Sequence, residues 1–203
     1  MGTYDLTTAA LVKAHEGITG SGDDTLIGKL IERATGLIEQ YVGMPLKKRT
    51  YTYASGHQEA IYDGLSGRNR SRLPLAVRPI SSITTVRINE FEIPASGGVH
   101  ESGWYIQNKK AGIVGLRGYE WIASPNGIEL VFAAGYDSTE TETEWSALEH
   151  ACILQTMWMF KQGKQGHMLG VSSVGHPDGS VAVFASDGLL EAVKQILDPF
   201  RCL

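Results

Sequence analysis

The chain has 203 residues, 42% of them apolar and 20% charged, enough for one large domain or two small ones with an ordinary globular composition. Its formal charge is −4, from 22 acidic and 18 basic side chains, which argues against a protein whose main task is gripping phosphate backbones. Two cysteines, Cys152 and Cys202, make neither a disulfide framework nor a four-cysteine zinc site, and the absence of a long apolar run or signal-like leader leads us to expect a soluble intracellular protein without membrane contact.

The elements alternate in type along the chain. Thr7 or Thr8 is placed to cap a short helix through Ala14, before the glycine-rich stretch 17–22. Asp23 or Asp24 is expected to cap the clearest element, a helix over residues 25–42. Its Leu26, Ile27, Leu30, Ile31, Ala34, Leu37, Ile38 and Tyr41 recur on one face, with a stop at Gly43 and Pro45. From Lys48 to Tyr136 the period becomes that of strands: 49–53, 83–88, 104–107, 113–117 and 128–132, divided by turn signals such as Pro125-Asn126-Gly127. Five or six short strands predict an antiparallel sheet or small barrel.

The helical period returns at Trp145. Leu148, Ala151, Cys152, Gln155, Trp158 and Met159 share a face, and Gln162-Gly163 should end the helix. A glycine-rich stretch over 163–179 reads as a flexible loop, and 181–184 as a short strand. Asp187 is expected to cap a last helix carrying Leu189, Leu190, Val193, Ile196 and Leu197, stopped by Pro199. The predicted fold is α+β. Residues 1–46 and 137–203 form one helical body, and 47–136 form a β-rich antiparallel insertion.

Motifs for catalysis fail on spacing. Gly22 to Leu30 imitates a phosphate-binding loop, but has five residues between its glycines and Leu30 where magnesium needs a hydroxyl. Gly170 to Gly175 is one residue too long for a nucleophile elbow at Ser172 or Ser173. The histidines, at 15, 57, 100, 150, 167 and 176, show no metal spacing, and His150 and Cys152 point to different sides of a helix. Glu140, Glu142 and Glu144 read as a solvated linker favouring the next helix start. We therefore expect no enzyme, no catalytic residue, no cofactor and no metal. Basic residues, Lys47-Lys48-Arg49 and the Arg68, Arg70, Arg72 group, read as a solvated basic loop or as contacts to phosphates or to acidic surfaces of neighbouring subunits.

In order, four segments resemble the head–tail connector proteins of long-tailed bacteriophages, also called adaptor or head-completion proteins. They are the helix over 26–46, the stretch LPLAVRPISSITTVRIN at 73–89, IELVFAAGYD at 128–137, and ALEHACILQTMWMFKQ at 147–162. The last is followed by a glycine-rich loop, a final helix and ILDPFRCL. One departure is Glu144-Trp145-Ser146, where the family often has proline. The resemblance implies a virion protein of the neck, made in the bacterial host cytoplasm, forming a homo-oligomeric ring of about twelve copies under the portal protein. Such a ring extends the channel for genomic DNA, without binding it specifically, and gives a stopper or tail-completion protein its docking surface. It also implies a portal contact through the C-terminal segment, at Leu197, Pro199, Phe200, Arg201 and Leu203. The alternatives are another neck or tail-terminator component and, third, an unrecognised enzyme.

Overall fold

Helix α1, Ala9–Glu16, starts where the Thr8 hydroxyl accepts from the Leu11 N–H at 3.3 Å, and stops at Gly17 in the left-handed conformation. In this computed structural model the described residues are 4–54, 71–122, 127–139, 141–164, 173–175, 181–183 and 188–201. They divide into two compact units: Met1–Met44 with Glu142–Leu203, and Pro45–Thr141 between them.

In the first unit α2, Asp24–Val42, buries Ile27, Leu30, Ile31, Ala34, Ile38 and Val42 and ends on Gly43 at φ 84°. The expected stripe was too wide. Leu26 is 44% exposed, because it lies about 100° around the helix from Ile27 and off the face that α1 and the next helix cover. Asp23 occupies the capping position without a capping bond, and Asp24 is drawn into an ion pair with Lys13 at 2.7 Å.

Helix α3 spans Glu142–Lys164, longer at both ends than its apolar period predicts. Glu142 and Glu144 lie in its first turn, where carboxylates suit the positive end of the helix dipole. Gly163 does not end it, since one glycine costs a helix only about 1 kcal/mol. Because α3 packs on α1, α2 and the last helix, it buries Ile153, Thr156 and Met157 as well as Leu148, Ala151, Cys152 and Gln155.

The last helix, α4, is Glu191–Leu197, so Leu189 and Leu190 precede it, and Asp187 lies outside the described residues. A buried side chain from α3 fixes its start instead. The Gln155 amide donates to the Gly188 carbonyl at 3.1 Å, and its oxygen accepts from the Leu190 N–H at 3.0 Å. Within the stretch read as a flexible loop, Ser173–Gly175 forms a strand antiparallel to Val181–Val183, because backbone pairing needs no hydrophobic signal. The rest of that stretch after Lys164 lies outside the described residues.

Among its described residues the second unit holds two antiparallel sheets rather than one continuous sheet or a closed barrel. One has the order β1 (Arg49–Ala54), β7 (Ile128–Ala134), β3 (Ile80–Ile88), β4 (Phe91–Glu92). The other has β2 (Arg72–Pro74), β6 (Ile113–Arg117), β5 (Gly103–Asn108). Strand β7 shows the alternation most plainly, burying Ile128, Leu130, Phe132 and Ala134. These side chains join Leu73, Val77, Ile80, Val86, Val114 and Trp121 in one core. The Pro125-Asn126-Gly127 turn lies outside the described residues except for Gly127.

After β7 the chain turns at Gly135, φ 115°, where a β-carbon would sit 2.8 Å from the Leu46 carbonyl oxygen and 2.8 Å from the Lys48 backbone. Only glycine tolerates both the angle and the contact. Gly135→Ala should therefore destabilise the chain by at least about 2 kcal/mol. Denaturant unfolding checks this, and an unchanged midpoint would contradict it.

Candidate functional site

The C-terminal segment is tied to α2 by a cluster of polar side chains. Helix α4 runs into a 3₁₀ turn, Asp198–Phe200, with Pro199 where a missing N–H is harmless. The Tyr41 hydroxyl, in the last turn of α2, donates to Asp198 Oδ1 at 2.7 Å. Arg201 approaches the same oxygen at 3.9 Å, and its guanidinium carbon lies 5.0 Å from the centre of the Tyr41 ring. The hydrogen bond to Asp198 raises the Tyr41 pKa, with its desolvation and the Asp198 charge adding to the effect.

Of the C-terminal residues implicated by the resemblance, Leu197 is fully buried in the first unit and serves its core. Pro199 and Arg201 are exposed, Phe200 is half-buried, and Leu203 lies outside the described residues. Sequence reasoning missed the partners. Spacing puts Tyr41 on the apolar stripe, and nothing in the order of residues links it to Asp198.

Of the basic candidates, Lys47, Lys48 and Arg72 lie among the described residues. Lys47 bridges to Tyr136 through the backbone, and Lys48 Nζ pairs with Asp137 Oδ2 at 3.0 Å. Arg72 is exposed on β2 of the other sheet, while Arg68 and Arg70 lie outside the described residues. Charge is divided unevenly between the units. The first holds seven basic and thirteen acidic side chains, net −6, and the second eleven and nine, net +2.

Sites for chemistry are sparse. A groove of about 480 Å³ beside α1 and α2 is lined by Ala9, Asp24, Thr25, Gly28, Lys29 and Glu32. It includes the segment that imitates a phosphate loop, and the Asp24 and Glu32 carboxylates oppose an anion there. His15 and His150 approach with ring centres 6.2 Å apart, a pairing the sequence did not signal. Among the described residues, no group of three His, Cys, Asp or Glu side chains is placed to hold a metal. His100 is exposed, whereas His57, His167 and His176, Ser172 and Glu140 lie outside the described residues.

No family model matches the chain, and no curated protein does. Solved structures do. A chain in the neck of a native gene transfer agent particle, computed with C12 symmetry, matches with a TM-score of 0.56 at 16% identity, covering 96% of this chain and 87% of that one. A chain in the neck of the empty particle, computed with C6 symmetry, gives 0.58 at 18% identity, covering 96% and 88%. A chain of the native gene transfer agent virion gives 0.55 at 17%, again covering 96% and 88%. The likeness is one of fold and runs through both units. It agrees with the resemblance read from the sequence.

Burial pushes the Cys152 thiol up to about 11 from 9.0, against a hydrogen bond with Thr35 that lowers it. The folded chain keeps this proton to higher pH than the unfolded chain, so stability should fall as pH rises from about 9 to about 11. Urea midpoints of the wild type and Cys152→Ala across that window test this. Parallel pH dependence in the two chains would contradict it.

Proposed function

We propose that this chain is a structural subunit of the neck of a phage-like particle, a head-to-tail connector rather than an enzyme. The observation that carries the proposal is the fold shared over 96% of the chain with proteins of gene transfer agent necks. The C12 and C6 symmetries of those necks support a homo-oligomeric ring here, and the family resemblance adds a count of about twelve copies and a place under the portal protein. Such a ring extends the DNA channel and offers a docking surface to a stopper or tail-completion protein. A sheet-dominated tail terminator fits less well with the four α-helices among the described residues.

The physical properties suit a conduit. A subunit of net charge −4 gives a negative ring, and a channel for DNA should let it slide rather than hold it through counterion release. The C-terminal segment suits the portal contact. Phe200 supplies an apolar surface, and Arg201 carries its charge beside it on a turn already fixed to Tyr41.

Electron microscopy of particles from cells carrying a nonsense mutation in this gene tests the role. DNA-filled or leaking heads beside separate, complete tails are expected, and heads properly joined to tails would overturn it. Phe200→Ala combined with Arg201→Ala should lower incorporation of the folded chain into particles by about tenfold or more. Wild-type incorporation of that variant would remove the C-terminal segment from the portal contact.

A further inference from the structure

Strand β3 is nine residues long, so its ends lie roughly 26 Å apart at about 3.3 Å per residue. The two ends differ in the charged side chains that the described residues place there. At the Ile88 end, Asn89 and Glu90 turn the chain into β4, where Phe91 lies opposite Ile88 and Glu92 opposite Arg87. Glu90, Phe91 and Glu92 are all exposed, Phe91 to 76%. Arg87 is paired with Glu129 on β7 at 3.3 Å, which leaves the tip with the charge of Glu90 and Glu92.

At the Ile80 end the Ile80 N–H donates to the Lys109 carbonyl at 2.9 Å, fixing the exposed Lys109-Lys110 turn between β5 and β6. Arg78 lies beside that turn, since a β-carbon on Gly112 would be 3.5 Å from Arg78 Cβ. Lys47 and Lys48 join the same end through β7, where Lys48 pairs with Asp137. Within one copy the acidic tip and the basic turn are a strand length apart.

The tip is costly to keep. Asn89 and Glu90 both hold positive φ, 49° and 69°, with no glycine to relieve it. The large aromatic ring beside them stands in water. We infer that the Glu90-Phe91-Glu92 hairpin of one copy docks on the basic Lys109-Lys110 turn of a second copy, so that copies join head to tail through opposite ends of β3. This rests on the ring reading above and says which surfaces close it. The carboxylates meet the lysine ammonium groups, and the face of Phe91 receives the cations and aliphatic stems of Lys110 and Arg78. A contact between two different patches is the kind that generates a ring when its rotation closes. Charge complementarity fixes the register of each copy on the next.

A carbodiimide, which joins a carboxylate directly to an amine it touches, tests the contact in particles containing the wild-type chain. Mass spectrometry should find a peptide with Glu90 or Glu92 joined to Lys109 or Lys110, confined to covalent dimers and higher oligomers. Its absence from particles that contain the chain would overturn the inference and leave the neck role standing. A chain missing from particles altogether would overturn the neck role, and the same coupling on the concentrated purified protein would then decide the contact alone.

Charge reversal supplies the second measurement. Glu90→Lys with Glu92→Lys, or Lys109→Glu with Lys110→Glu, should each lower incorporation about tenfold or more, and all four changes together should restore it. Wild-type incorporation of both halves, or no restoration by the four, would count against the contact. Thermal melts of each variant separate lost assembly from lost folding.

Discussion

The first unit is assembled from two stretches of chain separated by residues 45–141, so the packing of α2 on α3 requires the ends of that insertion to come together. Within the second unit they do. The Tyr136 N–H donates to the Leu46 carbonyl at 2.7 Å, and the Lys48 N–H to the Tyr136 carbonyl at 2.9 Å. The Lys48–Asp137 ion pair locks the same point from the side. Closing a flexible loop of this length would cost roughly 4 kcal/mol beyond a constant. A folded insertion whose two ends are already hydrogen-bonded removes most of that cost, and the close contact at Gly135 is what allows it.

Polar groups inside each unit do structural work that composition alone would assign to binding. Thr35 links the N-terminal segment to α3, accepting from the Leu6 N–H at 3.3 Å and lying 3.7 Å from Cys152 Sγ. Arg117 reaches Ser96 Oγ at 3.0 Å and the Gly98 carbonyl at 2.6 Å, and stands 4.4 Å over the Tyr105 ring. That arginine holds a loop to its sheet, as Gln155 holds the approach to α4. Each satisfies backbone groups that would otherwise be costly to bury.

The sequence made legible those elements whose side chains repeat with a period. Helix α2, the centre of α3 and strand β7 follow from their apolar spacing, and the α+β class follows from the order of periods. Strands β2 and β4, three and two residues long, are too short to show alternation and exist through their neighbours. The order β1-β7-β3-β4 was not readable, because no local signal tells a strand which distant strand it will meet. The C-terminal candidates come from the family resemblance alone, and the Tyr41–Asp198–Arg201 cluster arises only when the turn after α4 meets the end of α2.

The overall charge of −4 illustrates how an average can mislead. It conceals a first unit at −6 and a second at +2, and within the second unit a strand with an acidic end and a basic one. At physiological salt the screening length is about 8 Å, well short of the roughly 26 Å between those ends. Each end therefore presents its own charge to whatever approaches, almost unaffected by the other. A second copy arriving at one end meets the sign it carries at its opposite end, and this holds for every copy added. Two patches held apart by one rigid strand thus favour repeated head-to-tail addition over pairing of like ends, which would set carboxylate against carboxylate.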